Sequence, residues 1–228
     1  GNDVCADCHK DQHSSYLLSA HAKALRPTEA EQEPEDVEYY HEPSRRWYRV
    51  YREGDQLRHR ESVRDPEGTE LVLHDKPVSW TIGSGRFSLS YLAQEGDFFI
   101  ESPVTWYSSR KKWEMSPGFD RSHHYGFERL ADVGCLICHA GQVTPREGNH
   151  FQPMIHQTSI GCESCHGPGA AHVANPKVEV VRMTPESTCV ACHNEEHSDL
   201  FDYEAYLKTL VVPGHGLPIK TDGSAATP

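Results

Sequence analysis

The chain has 228 residues, a formal net charge of −12 at pH 7, and only 36% hydrophobic residues. That acidity excludes nucleic acid as a partner, because affinity for a phosphate backbone is supplied by Lys and Arg. No stretch reaches the roughly 18 apolar residues of a membrane-spanning helix, so no membrane span is expected. The length suits one domain or two small ones.

The chain opens on Cys5-Ala6-Asp7-Cys8-His9. The sequence from Asp11 to Leu25 places Tyr16, Leu17, Ala20 and Ala24 near helical spacing, and Pro27 ends the predicted helix. Residues 28–38 are acidic and proline-containing and read as a loop that closes a first segment, 1–38. Residues 39–116 read as a β-rich insertion. Strands are predicted at Trp47–Tyr51, at Glu70–His74 after the Asp65-Pro66-Glu67-Gly68 turn, at Asp97–Glu101 and at Val104–Tyr107. Gly83-Ser84-Gly85 lacks the lysine and spacing of a phosphate loop and reads as a turn. Residues 117–228 hold Cys135-Leu136-Ile137-Cys138-His139, Cys162-Glu163-Ser164-Cys165-His166 and Cys189-Val190-Ala191-Cys192-His193, whose first cysteines are 27 residues apart each time. This third segment is expected to form one unit with 1–38, centred on what the four motifs bind. Asp202–Leu210 reads as a short helix, broken at Pro213-Gly214.

All eight cysteines therefore lie in Cys-x-x-Cys-His motifs. Such a motif attaches c-type haem: the two thiols form thioethers to the porphyrin vinyl groups and the histidine becomes the proximal iron ligand. Half a zinc site or a thioredoxin-like pair also uses Cys-x-x-Cys. Neither requires a histidine after every pair. Four covalently bound haem c groups are predicted, held by Cys5, Cys8, Cys135, Cys138, Cys162, Cys165, Cys189 and Cys192, with His9, His139, His166 and His193 on the irons. Four porphyrins make up for the low apolar content. The expected fold is thus mainly α with much irregular chain, a multihaem cytochrome architecture, with an apo-protein that is largely unfolded. Haem propionates add roughly two negative charges each where exposed. Because haem c is attached outside the cytoplasm, the chain is expected to be an exported, periplasmic or extracellular protein whose leader has been removed.

The sixth iron ligand decides potential and reactivity. Only Met115, Met154 and Met183 compete with the histidines outside the motifs, so bis-histidine ligation is expected. His13 and His197 lie too close in sequence to His9 and His193 to reach the opposite porphyrin face, and His172 faces the same difficulty with the haem of His166. His21, at the end of the first predicted helix, is placed to reach a neighbouring haem.

Cys5-Ala6-Asp7-Cys8-His9-Lys10 with Ala20-His21-Ala22-Lys23-Ala24-Leu25, and Gly161 to Gly169 around the third motif, resemble the tetrahaem cytochrome c-554 family. The resemblance covers the haem-bearing parts, roughly half the chain. It implies that His172 ligates haem one opposite His9, that His21 ligates haem three opposite His166, and that a late histidine, here His215, ligates haem four opposite His193. It implies an open, five-coordinate haem two. This chain departs from the family in its β-rich insertion and in the histidines near motif two: His123, His124, His150 and His156. Among these, His124 and His156 are the candidates to close haem two. His41, His59, His74 or a ligand from an adjacent subunit are alternatives.

The reading that follows is an electron-transfer cytochrome that works with redox partner proteins. Two alternatives stand beside it. One is a reductase of nitric oxide or a similar small molecule at an open haem two, with His123, His124 or Tyr125 donating protons. The other is a subunit that self-associates into a conductive extracellular filament.

Overall fold

The computed structural model describes residues 1–180, 184–195, 197–198 and 200–210, with backbone alone for 207–210. In chain order, helices α1 (Asn2–Ala6) and α2 (Lys10–Leu17) lead into a 3-10 turn at His21–Lys23. Strands follow: β1 (Leu25–Pro27), β2 (Val37–His41), β3 (Arg46–Glu53), β4 (Gln56–Arg64), β5 (Glu70–Ile82), β6 (Ser88–Glu95), β7 (Phe98–Glu101), β8 (Val104–Tyr107), β9 (Lys112–Met115) and β10 (Leu130–Ala131). Helix α3 (Val133–Leu136) and the hairpin β11 (Ala140–Arg146) and β12 (Asn149–Thr158) come next, then α4 (Cys162–His166), α5 (Ala170–Ala174), α6 (Glu186–Cys189) and α7 (Tyr203–Leu210).

The expectation of a mainly α protein is overturned. Among the described residues strand outweighs helix, 39% against 22%. The residues divide into two units, 23–159 on one side and 1–22 with the residues from 160 onward on the other. The β-structure therefore extends well beyond 39–116 and takes in the second haem motif. The helices, by contrast, are short: most are a single turn built around a cysteine pair.

Unit 23–159 is organised by an antiparallel sheet of order β10-β7-β6-β5-β4-β3-β2, with β1 added to β5 and the β8–β9 hairpin to β6. Its core is made of Tyr48, Val50, Leu57, Val78, Leu89, Tyr91, Val104, Trp113, Met115 and Phe119. Each such large side chain stabilises the fold by about 1.5–3 kcal/mol when fully buried. Two carboxylates are buried with their partners. Glu61 accepts from Arg46 at 2.6 Å and from Tyr48 at 2.8 Å. Glu33 accepts from Thr81 at 3.1 Å and Tyr91 at 2.7 Å and pairs with Arg26 at 2.7 Å. A buried charge is tolerated only when it is paired in this way.

In the other unit, α1, α4, α5 and α6 bury no residue, and α2 buries only Ser15. Apolar side chains there stand open, with Leu18 76% and Leu200 86% exposed. The expected helix from Asp11 to Leu25 stops at Leu17, because Ser19 Oγ accepts the Ala22 amide at 3.2 Å and turns the chain. Such Ser side-chain bonds compete with helix continuation.

Candidate haem-attachment sites

Motifs one, three and four all lie in the unit made of 1–22 and 160 onward. Each places its cysteine pair on one helical turn. The His9 amide donates to the Cys5 carbonyl at 2.8 Å, and the His193 amide to the Cys189 carbonyl at 2.8 Å. Residues three apart on a turn share a face, so both sulfurs point the same way with histidine just beyond. Asn2 ties motif one to motif three: its Oδ1 accepts the Cys162 amide at 2.9 Å and its Nδ2 donates to the Tyr16 hydroxyl at 3.1 Å. Burial and then neighbouring Cys5 push the Cys162 thiol up to about 11. Burial and then Cys165 raise the Cys189 thiol. Thr184 Oγ1 donates to the Cys165 carbonyl at 3.1 Å, and the Tyr203 hydroxyl to the Thr184 carbonyl at 2.6 Å. Among the described residues, no three His, Cys, Asp or Glu side chains converge as a metal cage.

Among the described residues of this unit, two histidine pairs meet. His9 and His172 have ring centres 6.2 Å apart with planes 23° from parallel. His21 and His193 have ring centres 6.1 Å apart with planes at 69°. A metal–imidazole bond of about 2 Å sets a metal roughly 3 Å from each ring centre. An iron shared by two imidazoles thus separates the ring centres by about 6 Å. His172 Nδ1 contacts the Val178 carbonyl oxygen at 2.7 Å. Metal-bound histidines commonly use their second nitrogen in this way. Burial and then His193 hold His21 below the usual histidine range, which favours the neutral imidazole that binds metal. Phe201 lies 4.8 Å from His193 with its ring nearly parallel.

The resemblance paired His21 with His166; the structure sets it against His193. The chain turn at Ser19 and the bond from the Ile160 amide to the His21 carbonyl, 3.1 Å, fix its position. His215, proposed from the resemblance for haem four, lies outside the described residues.

Motif two belongs to unit 23–159. Asp132 caps α3, its Oδ1 accepting the Cys135 amide at 3.0 Å. Leu136, inside the motif, is buried with Leu92, Phe99 and Ala131. This anchors the motif to the sheet. His124 is engaged at both ring nitrogens: Nε2 lies 2.9 Å from the Tyr48 hydroxyl and Nδ1 accepts the Gly126 amide at 3.0 Å. His156 stands exposed on the hairpin with Nε2 2.8 Å from Thr144 Oγ1. His41 is held at both nitrogens, by Ser44 at 2.7 Å and Asp120 at 3.0 Å. Its ring centre lies 6.2 Å from that of His124, so ring spacing alone does not make a ligand pair. His59 is fully buried against Tyr91 and Trp113, with Nδ1 2.7 Å from Ser102 Oγ, and burial holds it at about 3. His74 packs against Phe127 and lies 4.0 Å from Glu61.

A family model described as cytochrome c554 and c-prime matches residues 4–49 and 105–167, which hold motifs one to three. The C-type polyheme cytochrome OmcC of Geobacter sulfurreducens is 28% identical over 79 residues, 30% of this chain and 10% of its own length. The outer cell wall cytochrome OcwA superposes with a TM-score of 0.55 at 17% identity, over 85% of this chain and 36% of that one. Together these matches support a multihaem c-type cytochrome family for the chain. It spans a tenth of the curated relative and about a third of the solved structure. The family resemblance read from the haem motifs is borne out at this level.

As a multihaem cytochrome the protein carries covalently bound haem c. No described helix is long and apolar enough to cross a membrane. Sequence reasoning missed Asn2, Val178 and Phe201, the groups around these two histidine pairs. A backbone carbonyl such as that of Val178 leaves no mark in a sequence. Asn2 carried no signal either, since its role needs motifs one and three to be neighbours.

Proposed function

We propose that this cytochrome binds four haem c groups and relays electrons through them, with His9/His172 and His21/His193 as two axial ligand pairs. When bound, each haem supplies one-electron ferric/ferrous cycling, and paired imidazoles give low potentials. The observation that carries the reading is the spacing of these two ring pairs, each beginning from a proximal histidine. The exposed apolar side chains of the same unit support it, since flat apolar porphyrins are what they lack. The closeness of Cys5 to Cys162 and of Cys165 to Cys189 supports a relay order of one, three, four within this unit. Val178 and Phe201 orient His172 and His193. Redox proteins are the partners, and the similarity to an outer cell wall cytochrome supports an exported location.

The test is a pyridine haemochrome assay and intact mass of the holoprotein produced with cytochrome c maturation. Four haem equivalents per chain are expected. Fewer equivalents, or a motif whose thiols remain free, would remove the relay.

A further inference from the structure

Glu101 is a carboxylate that the relay does not use. It ends β7, opposite Leu92 of β6 in the antiparallel register. Leu92 is fully buried and packs with Leu136 of motif two. Phe99, two residues before Glu101 and hence on the same face of the strand, joins that cluster. The sheet face that carries Glu101 is therefore the face on which α3 sits. Arg129 is its counter-ion, Nε to Oε2 3.2 Å, and the Glu101 amide donates to the Arg129 carbonyl at 2.9 Å. Arg129 is held in turn by the Pro117 carbonyl at 3.1 Å.

The charged and titratable groups facing Glu101 are few. Arg129 comes from the segment before β10, Tyr107 from β8 and Cys135 from α3, whose cap is Asp132. Asp132 spends its carboxylate on the Cys135 amide. The Cys135 thiol becomes a thioether once haem is attached. Burial raises the Tyr107 hydroxyl, and Glu101 adds a smaller contribution in the same direction. Burial raises Glu101 above the usual carboxylate range, and Arg129 works against that rise.

We infer that Glu101, set by Arg129, is the proton-binding group coupled to reduction of haem two. The inference rests on the reading that haem is attached at Cys135 and Cys138. One electron entering from a reduced donor, a neighbouring haem or dithionite in the test, adds one negative charge beside α3. Glu101 takes one proton from solvent in answer, giving a neutral carboxylic acid, and releases it to solvent on reoxidation. Electron and proton affinity are reciprocally linked. The midpoint of that haem therefore falls as pH rises through the range where Glu101 titrates. The limiting slope is a tenfold change in the reduction equilibrium per pH unit, about 59 mV for one electron.

The experiment is optical redox titration of the holoprotein at several pH values from 5 to 8, with redox-difference infrared spectroscopy. A haem-bearing Cys135–His139 peptide, found by mass spectrometry, checks the underlying reading separately. In the wild type, one redox step moves with pH and a protonated-carboxyl carbonyl band appears on reduction. Glu101→Gln is expected to abolish both, leaving the other steps as they were. Arg129→Gln removes the positive charge and shifts the pH-dependent range upward. A Glu101→Gln protein that keeps the slope and the band would overturn the inference, as would an Arg129→Gln protein with an unmoved range.

Discussion

Produced without haem, the protein is expected to keep its β-sheet and lose the unit made of 1–22 and 160 onward. Folding must offset roughly 1–2 kcal/mol of backbone entropy per residue. Unit 23–159 does so with protein atoms: Tyr48, Tyr91, Leu57, Leu92 and Val104 are almost completely buried. The described residues of the other unit hold no such store. Leu17, Leu18, Val173 and Leu200 are all more than half exposed, and its cysteine-bearing turns are four or five residues long. Isolated helices that short do not hold in water. Hydrogen exchange of the apo-protein checks this. Peptides from the sheet core should exchange at least about a thousandfold more slowly than unfolded chain, as an opening free energy of a few kcal/mol requires. Peptides around α1, α4, α5 and α6 should exchange at unfolded rates. Equal protection of both regions would mean that the haem-bearing turns fold without porphyrin.

The second large effect is on iron coordination. Replacing His172 with Ala removes the imidazole 6.2 Å from His9 and leaves the iron of haem one with a single protein ligand. Electron paramagnetic resonance of the oxidised protein should show one low-spin haem replaced by a high-spin one. His172→Met should keep that haem low-spin and raise its midpoint by on the order of 0.1 V, a fraction of the span of about 0.8 V that axial ligands control. His21→Ala separates the pairing seen here from the one the resemblance implies. Because His21 faces His193, haem four should lose its low-spin signal while haem three keeps its own. Loss at haem three instead would restore the pairing with His166.

The haem attachments were legible in the sequence because their chemistry is local: two thiols and an imidazole within five residues define each site. Sixth ligands come from tertiary structure. His21 had been placed by analogy, and a single Ser19 hydrogen bond ends the helix early and redirects it. His124 looked available because it lies only eleven residues before Cys135, yet the sheet occupies both its nitrogens through Tyr48 and Gly126. The four predicted strands formed, at Arg46–Glu53, within Glu70–Ile82, at Phe98–Glu101 and at Val104–Tyr107. Strand Gln56–Arg64 escaped notice for a physical reason. It turns His59 and Glu61 inward, with Leu57 the lone large apolar side chain beside them, so the alternation expected of a half-buried strand is written in polar residues. The hairpin Ala140–Thr158 was hidden by Pro145 and Pro153, which face each other across it. These hidden strands, together with β1 and β2, turned an expected α protein with a β insertion into a mainly β one.

Everything in the proposed relay depends on iron lying between the two imidazole pairs. An anomalous-scattering map at the iron edge from crystals of the holoprotein is the most direct measurement. It is predicted to show four iron positions per chain, one midway between His9 and His172 and one midway between His21 and His193. Fewer than four positions, or irons that do not lie between those rings, would contradict the account.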